Sequence, residues 1–238
     1  MKVHPKTIFS YFSPKMLFGI FFLEKKALIS LYYNLRIAGW DDFPVFPDNH
    51  AANASFLYFL FKVFQIIKPK RILELGSGQS TNFTSRYLQE NEEAKALILE
   101  NNEDWYQQFK PKLIDSPRLR YLFAPLLELK VGRRTCQWYS TDILEKEKTT
   151  YDLLIIDGPV GTLNFSRLGI VKYLPKVIDP ADFLIIFDDA QRKGEKDTIK
   201  VVKKKLRKKE IPFEQFTIYG LKKQTCISSP DKGFLNTI

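Results

Sequence analysis

Histidine and cysteine are scarce. Among 238 residues there are two of each: His4 and His50, Cys136 and Cys226. Two histidines cannot build a multi-histidine metal centre. The two cysteines show neither metal-ligand spacing nor the density of a disulfide framework, and they read as reduced thiols of a cytosolic protein. No apolar run reaches the roughly 20 residues a membrane-spanning helix needs. The run Met16 to Leu23 ends at Glu24-Lys25-Lys26, and no small-residue cleavage site follows, so a secretory signal peptide is not expected. No internal repeat or low-complexity linker is visible.

Hydrophobic residues make up 45% of the chain, enough for a buried core. The length suits one large domain, or one domain with a helical extension. The formal charge is +10 and the isoelectric point near 9.4. That admits an acidic partner (nucleic acid, anionic lipid or a charged substrate) without choosing among them.

The most informative stretch is Arg71 to Thr81, Arg-Ile-Leu-Glu-Leu-Gly-Ser-Gly-Gln-Ser-Thr. Ile72 to Leu75 reads as a short buried strand, Gly76-Ser77-Gly78 as a tight turn, and Ser80 to Gln89 as the next helix. Glycines after a strand let the backbone approach a ligand closely, and the helix start offers unpaired N–H groups. A dinucleotide site wants a third glycine for tight packing around a pyrophosphate, and here that position is Thr81. Glu74 is placed to accept a hydrogen bond from a cationic or amino group of a ligand. Lys95 to Glu100 reads as the next strand, ending in an acid about 20 residues past the turn, where ribose hydroxyls are bound. These features suit S-adenosylmethionine better than NAD. The cofactor residues are then Glu74, Gly76, Ser77, Gly78, Ser80, Thr81, Glu100 and Asn101. In the plainer alternative, Glu74 and Glu100 are ordinary loop carboxylates.

Four motifs stand in order: Leu73 to Thr81, Glu-x-x-x-x-Trp at Glu100 to Trp105, Ile-Asp-Gly-Pro at Ile156 to Pro159, and Asp-Asp-Ala-x-Arg at Asp188 to Arg192. With them the chain resembles the class I S-adenosylmethionine-dependent methyltransferases, and is similar to a bacterial group near the catechol and caffeoyl-CoA O-methyltransferases. The resemblance covers residues from about 47 to the C-terminus. It implies an α/β fold: a Rossmann-like sheet with strand order 3-2-1-4-5-7-6, an antiparallel last strand and helices on both faces. Residues 47–238 are then the methyltransferase domain and 1–46 an N-terminal helical extension.

In chain order, residues 1 to 40 are apolar, aromatic and basic. They read as a pair of helices packing on the catalytic domain or on a second subunit, which leaves a homodimer open. Alternatively they form an interfacial helix on anionic lipid, flanked by Lys15, Lys25 and Lys26, which leaves open a peripheral place at the inner face of the membrane. Ala51 to Ile67 is a helix stopped by Pro69, and His50 opens it as a cap or as a substrate-site base. Glu103 to Leu113 reads as a helix and Leu119 to Phe123 as the third strand; a long irregular stretch begins at Ala124. Trp138-Tyr139 offer either a stacking surface for adenine or core packing. Tyr151 to Asp157 and Asp182 to Asp188 read as the fourth and fifth strands, with a helix from Phe165 to Val177 between them. A basic helix spans about Ala190 to Lys209, and Phe213 to Tyr219 with Lys222 to Ser228 form an antiparallel hairpin around Gly220.

In open α/β sheets, ligands bind beyond the carboxyl ends of the strands. Asp157, Asp188 and Asp189 converge there. Three close carboxylates repel one another, which raises a pKa or requires a cation. Oxygen ligands without histidine or thiolate suit Mg²⁺, Ca²⁺ or Mn²⁺. The resemblance implies the same, because catechol-type enzymes place a divalent metal on acids at these strand ends. It carries over no general base, since Val160 stands where that family has a lysine. Asp157, Asp188 and Asp189 are therefore the candidate catalytic and metal residues. In the alternative they bind the methionine amino group, with Asp157 a cofactor residue, cap a helix and pair with Arg192. Arg167 and Arg192 suit an anionic acceptor such as a sugar acid or phosphorylated glycan, with structural salt bridges as the alternative. The lysine-rich helix from 193 to 209 reads as a solvated face, or as a surface for RNA phosphates or lipid head groups. Without an added RNA-binding module or the Asn-Pro-Pro-Tyr motif of base N-methylation, nucleic acid is the less favoured partner. The expected activity is O-methylation of a small-molecule or glycan acceptor. RNA methylation and a non-catalytic membrane or protein adaptor are the competing readings.

Overall fold

The structure, a computed structural model, describes residues 14–40, 45, 52–140, 142–146 and 149–238. His4 and His50 lie outside these, so the expectations placed on them are not addressed by it. Helix α1 (Pro14–Ile37) comes first and α2 (Ala54–Ile66) second. Among the described residues, the expected pair of helices within the first 40 is a single one. Glu24, where the apolar run ends, lies within this helix with its side chain buried on the inward side.

There follow β1 (Arg71–Leu75), α3 (Gln79–Glu90), β2 (Lys95–Glu100), α4 (Glu103–Phe109), β3 (Leu119–Phe123), β4 (Leu126–Val131), β5 (Arg134–Tyr139) and α5 (Asp142–Lys146). The chain ends with β6 (Leu153–Ile156), α6 (Ile170–Tyr173), β7 (Leu184–Phe187), α7 (Lys193–Lys208), β8 (Glu214–Tyr219) and β9 (Lys223–Ser228). Seven strands form one sheet in the order β3-β2-β1-β6-β7-β9-β8. Strands β1, β2, β3, β6 and β7 run parallel, and β9 is antiparallel to both its neighbours. Strands β4 and β5 form a separate pair. Counting only the strands of the main sheet gives the expected order, 3-2-1-4-5-7-6.

The central strands β6 and β7 are buried along their whole length. That is why they read as unbroken apolar runs: helices cover a parallel sheet on both faces. The two-residue alternation of a strand sorts their side chains. Ile72, Ile98, Ile155 and Ile186 join Leu31 and Leu35 of α1 and the phenylalanines of α2 in one core. Leu73, Leu97, Leu154 and Ile185 join Trp138 and the apolar side of α7 in the other. Trp40, just past α1, is fully buried and donates from Nε1 to Glu90 Oε1 at 2.7 Å. Residues 31–40 and Val45 thus contribute to the same core as the sheet.

Two stretches differ from expectation. The segment after Ala124 is the antiparallel hairpin β4–β5, turning at Gly132 with φ +61°. Its Leu129 packs inward while Glu128 and Lys130 face out. The helix expected from Phe165 to Val177 shrinks to α6. Phe165 and Arg167 sit at φ +50° and +58°, and a right-handed helix cannot include left-handed residues. No helix among the described residues is long and apolar enough to cross a membrane. Cys136 and Cys226 are free thiols.

Candidate functional site

The turn after β1 is built by contact between backbones. Gly76 has φ +85°, and a Cβ there would stand 2.8 Å from Gly158 N. A Cβ on Gly158 would stand 2.8 Å from Gly76 Cα and fall against Tyr139 Oη. The two glycines therefore let the ends of β1 and β6 touch. Gly78 is different: its backbone is extended, and a Cβ there would meet nothing within 4 Å. Its open side is where a ligand can approach the turn.

Glu74 lies beneath the turn. Its carboxylate is fully buried and accepts from Ser80 Oγ at 2.6 Å, Thr81 Oγ1 at 2.9 Å and Thr84 Oγ1 at 3.0 Å. Burial raises its pKa to about 7, against the pull of the three hydroxyls. Thr81 Oγ1 in turn accepts from Gly78 N at 3.0 Å. The expected contact from Glu74 to a ligand amino group is not among these: three of its acceptor sites serve the first turns of α3, and the Ser80 and Thr81 hydroxyls point at Glu74.

Glu100, at the end of β2, holds the turn from the side. Oε2 accepts from Ser77 N at 3.0 Å and Ser77 Oγ at 2.7 Å, while Oε1 accepts from the backbone N–H groups of Asn101 and Asn102 at 2.8 Å each. Two further side chains join it. Tyr121 Oη lies 2.8 Å from Ser77 Oγ, and Trp105 Nε1 donates to Ser77 O at 3.1 Å. Trp105 is partly exposed and stacks on Phe109 with ring centroids 5.5 Å apart. Trp138 and Tyr139 are fully buried in the core, so neither is an adenine platform.

Asp157, Asp188 and Asp189 do come together. Carboxylate oxygens of all three lie within 4.8 Å of one another. Burial, and then neighbouring Asp157, raise the Asp188 pKa to about 6, against Lys222, Gln224 and Arg167. Arg167 is buried among the acids. Nη1 donates to Ile156 O at 3.1 Å and Asp188 O at 3.0 Å, Nε donates to Pro159 O at 3.3 Å, and Nη2 pairs with Asp157 Oδ1 at 3.2 Å. Burial alone lowers an arginine pKa; here Asp157, Glu195, Asp188 and Asp189 outweigh it and raise it. This corrects the expectation for Arg167: its donors join the ends of β6 and β7 and are not available to an acceptor. Arg192 does face outward. Its side chain is 52% exposed while Nη1 pairs with Asp189 Oδ2 at 2.8 Å.

The donor set suits a hard divalent cation, and Asp188 Oδ2 is buried without a hydrogen bond. The chain also supplies cations of its own: Arg167 at 3.2 Å from Asp157, and Lys222 Nζ at 3.7 Å from Asp188 Oδ2.

Sequence reading missed a buried polar chain behind the acids. Gln224 Nε2 donates to Asp188 Oδ1 at 2.6 Å and to Asn53 Oδ1 at 3.0 Å, and Asn53 Nδ2 donates to Glu24 Oε2 at 3.0 Å. It also missed Tyr121, Lys222 and Glu195; the last is buried with both oxygens lacking a hydrogen bond. The one available signal was polar residues inside apolar strands, as at Gln224.

No protein-family model and no curated protein sequence matches the chain. Solved structures do match in fold. The SAH-bound methyltransferase PaMTH1 of Podospora anserina is 16% identical, with 95% of this chain and 98% of that one covered, at a TM-score of 0.54. A Klebsiella pneumoniae protein assigned as an O-methyltransferase is 19% identical over 87% and 88% of the two chains, TM-score 0.51. A Staphylococcus aureus protein assigned as a caffeoyl-CoA O-methyltransferase is 16% identical over 87% and 100%, TM-score 0.52. The chain has the class I methyltransferase fold.

Proposed function

We propose that the protein is an S-adenosylmethionine-dependent methyltransferase acting on an oxygen of a small-molecule or glycan acceptor. The observation that carries this is the open side of Gly78 beside Glu100, next to the acid cluster at the ends of β6 and β7. The fold neighbours support it, one of them SAH-bound. The cofactor supplies an electrophilic methyl group on sulfur. Glu100 takes the ribose hydroxyls by exchanging its two bonds from Ser77, and Trp105 and Tyr121 hold the turn in place. Transfer needs the acceptor oxygen held in line with the methyl carbon, so positioning is the main term. Arg192 offers an exposed guanidinium to an anionic acceptor. Asp157, whose side chain is 33% exposed while that of Asp188 is fully buried, faces the acceptor, and the Asp157–Asp188 pair takes the hydroxyl proton.

Calorimetry with S-adenosylmethionine and its demethylated product tests the cofactor site. Gly78→Val puts a side chain into the ligand's space, and Glu100→Ala removes charged hydrogen bonds, each costing about 1.5–3 kcal/mol or roughly 10- to 150-fold in affinity. Wild-type affinity in both folded variants would remove the assignment.

The acid cluster is tested by turnover against pH once an acceptor is identified. A base works only when ionised, so turnover is expected to fall as pH drops through about 6, the raised Asp188 value, and Asp188→Asn should abolish most of it. EDTA is expected to leave turnover intact, since Arg167, Arg192 and Lys222 set three positive charges against the three carboxylates. Loss on chelation, restored by Mg²⁺, would reassign the cluster to a metal. Full activity in Asp188→Asn and Asp157→Asn would move the base elsewhere.

A further inference from the structure

Helix α1 has two unlike sides. Glu24, Leu31 and Leu35 point into the protein. On the opposite side Phe18, Phe22, Ile29, Tyr33 and Ile37 are 62–76% exposed. At 100° per residue these five fall within an arc of about 100°, and they extend along about 29 Å of helix. Lys26 and Arg36 project from the same arc and Lys25 from just beside it, and all three are exposed. Glu24, the helix's one acid, is buried and accepts from Asn53 Nδ2, Ser55 N, Ser55 Oγ and Leu221 N. The outer face therefore carries large apolar groups and positive charge, with no negative charge to balance it.

We propose that this face docks on an anionic lipid surface. Its phenylalanines and isoleucines would enter the boundary between head groups and acyl chains, and Lys25, Lys26 and Arg36 would meet lipid phosphates. Interfacial helices bind by buried apolar area plus attraction to anionic lipid, and both contributions sit on one side of α1. Lysine and arginine stems can lie along apolar surface while their charged heads reach outward, so mixing the two residue classes on one face is compatible with this geometry. Charge decides against a second copy of the chain. A two-fold contact through the same face would bring together two copies of a surface whose charges are Lys25, Lys26 and Arg36, with no acid on that face to pair them. The bond from Leu221 N to Glu24 Oε2 seats α1 against the turn between β8 and β9. That turn lies at the carboxyl end of the sheet, the end that carries Asp157 and Asp188.

The test is sedimentation of the full-length protein with large vesicles, of phosphatidylcholine alone or with about 30 mol% phosphatidylserine, a load that gives the strongly negative surface basic segments respond to. Binding is expected to the anionic vesicles and to be roughly tenfold or more weaker to neutral ones, and to weaken as salt is raised. Lys25→Glu with Lys26→Glu should abolish it, and so should Phe18→Ser with Phe22→Ser. All four sites are solvent-facing, so circular dichroism should match wild type. Protein left in the supernatant with anionic vesicles would overturn the proposal, as would equal binding to neutral ones. So would a dimer in sedimentation velocity that the Phe18→Ser, Phe22→Ser variant dissociates, since that would give the face to a second copy.

Discussion

Arg167→Met is expected to lower stability by about 3–5 kcal/mol, the loss typical when one partner of a buried ionic cluster is removed. The guanidinium donates to three backbone carbonyls, those of Ile156, Pro159 and Asp188, and pairs with Asp157. Methionine fills much of the volume but leaves those carbonyls without donors. It also leaves Asp157, Asp188, Asp189 and Glu195 facing one another with less positive charge between them. Urea unfolding measures the loss. The defect should shrink as pH is lowered through the range just above the ordinary carboxylate pKa values. Without the arginine, the native acids hold their protons to higher pH than in the unfolded chain. The native state then binds more protons there, and stability falls as pH rises. Arg167→Lys keeps the charge without the planar fork and should fall between the two. A loss under about 1 kcal/mol in Arg167→Met, the size expected of an exposed ion pair, would mean the acids are balanced without it.

Glu24→Ala is expected to cost about 3 kcal/mol and to loosen α1 locally, because four buried or half-buried donors lose their acceptor at once. Hydrogen exchange is the discriminating measurement. Amides of α1 should lose protection in the variant while those of β6 and β7 keep theirs, and Glu24→Gln, which retains one acceptor oxygen, should lose less. Unchanged protection in α1 would show that Leu31 and Leu35 alone hold the helix. The same substitution frees Asn53 from one partner, so the position of Gln224 against Asp188 is the next link to feel it.

Residues whose environment is local, or apolar on both sides, were readable from the chain. Strands β1, β2, β6 and β7 are short apolar runs because both faces of a parallel sheet are covered, and their alternation with helices implied such a sheet; its strand order was implied by the family resemblance. The glycine turn was readable because Gly76 needs a positive φ and a neighbour at 2.8 Å, conditions only glycine meets. The β4–β5 hairpin was not, because its turn is Gly132-Arg133, outside the strong two-residue hairpin signals, and its outward side chains are charged. The surroundings of Arg167 and Glu24 were not readable for a common reason: both are buried only because partners from distant segments converge on them. Glu74 shows the limit within a single motif. Its place below the turn was right, but whether its carboxylate points to ligand or to helix depends on Ser80, Thr81 and Thr84, whose rotamers no spacing rule predicts.

The bond between Leu221 N and Glu24 joins residues 197 positions apart. At a synthesis rate of about 5–20 residues per second, the acid leaves the ribosome roughly 10–40 s before its last partner exists. Until then α1 has no finished seat, and both of its sides, the one destined for the core and the one bearing Phe18 and Phe22, are available to whatever is nearby. Helix α1 is made early, and its bond to Leu221 waits on the C-terminal hairpin. In a fold whose contacts span so much of the chain, loop closure must precede the reward, so the N-terminal helix is the segment most exposed to aggregation or capture during synthesis.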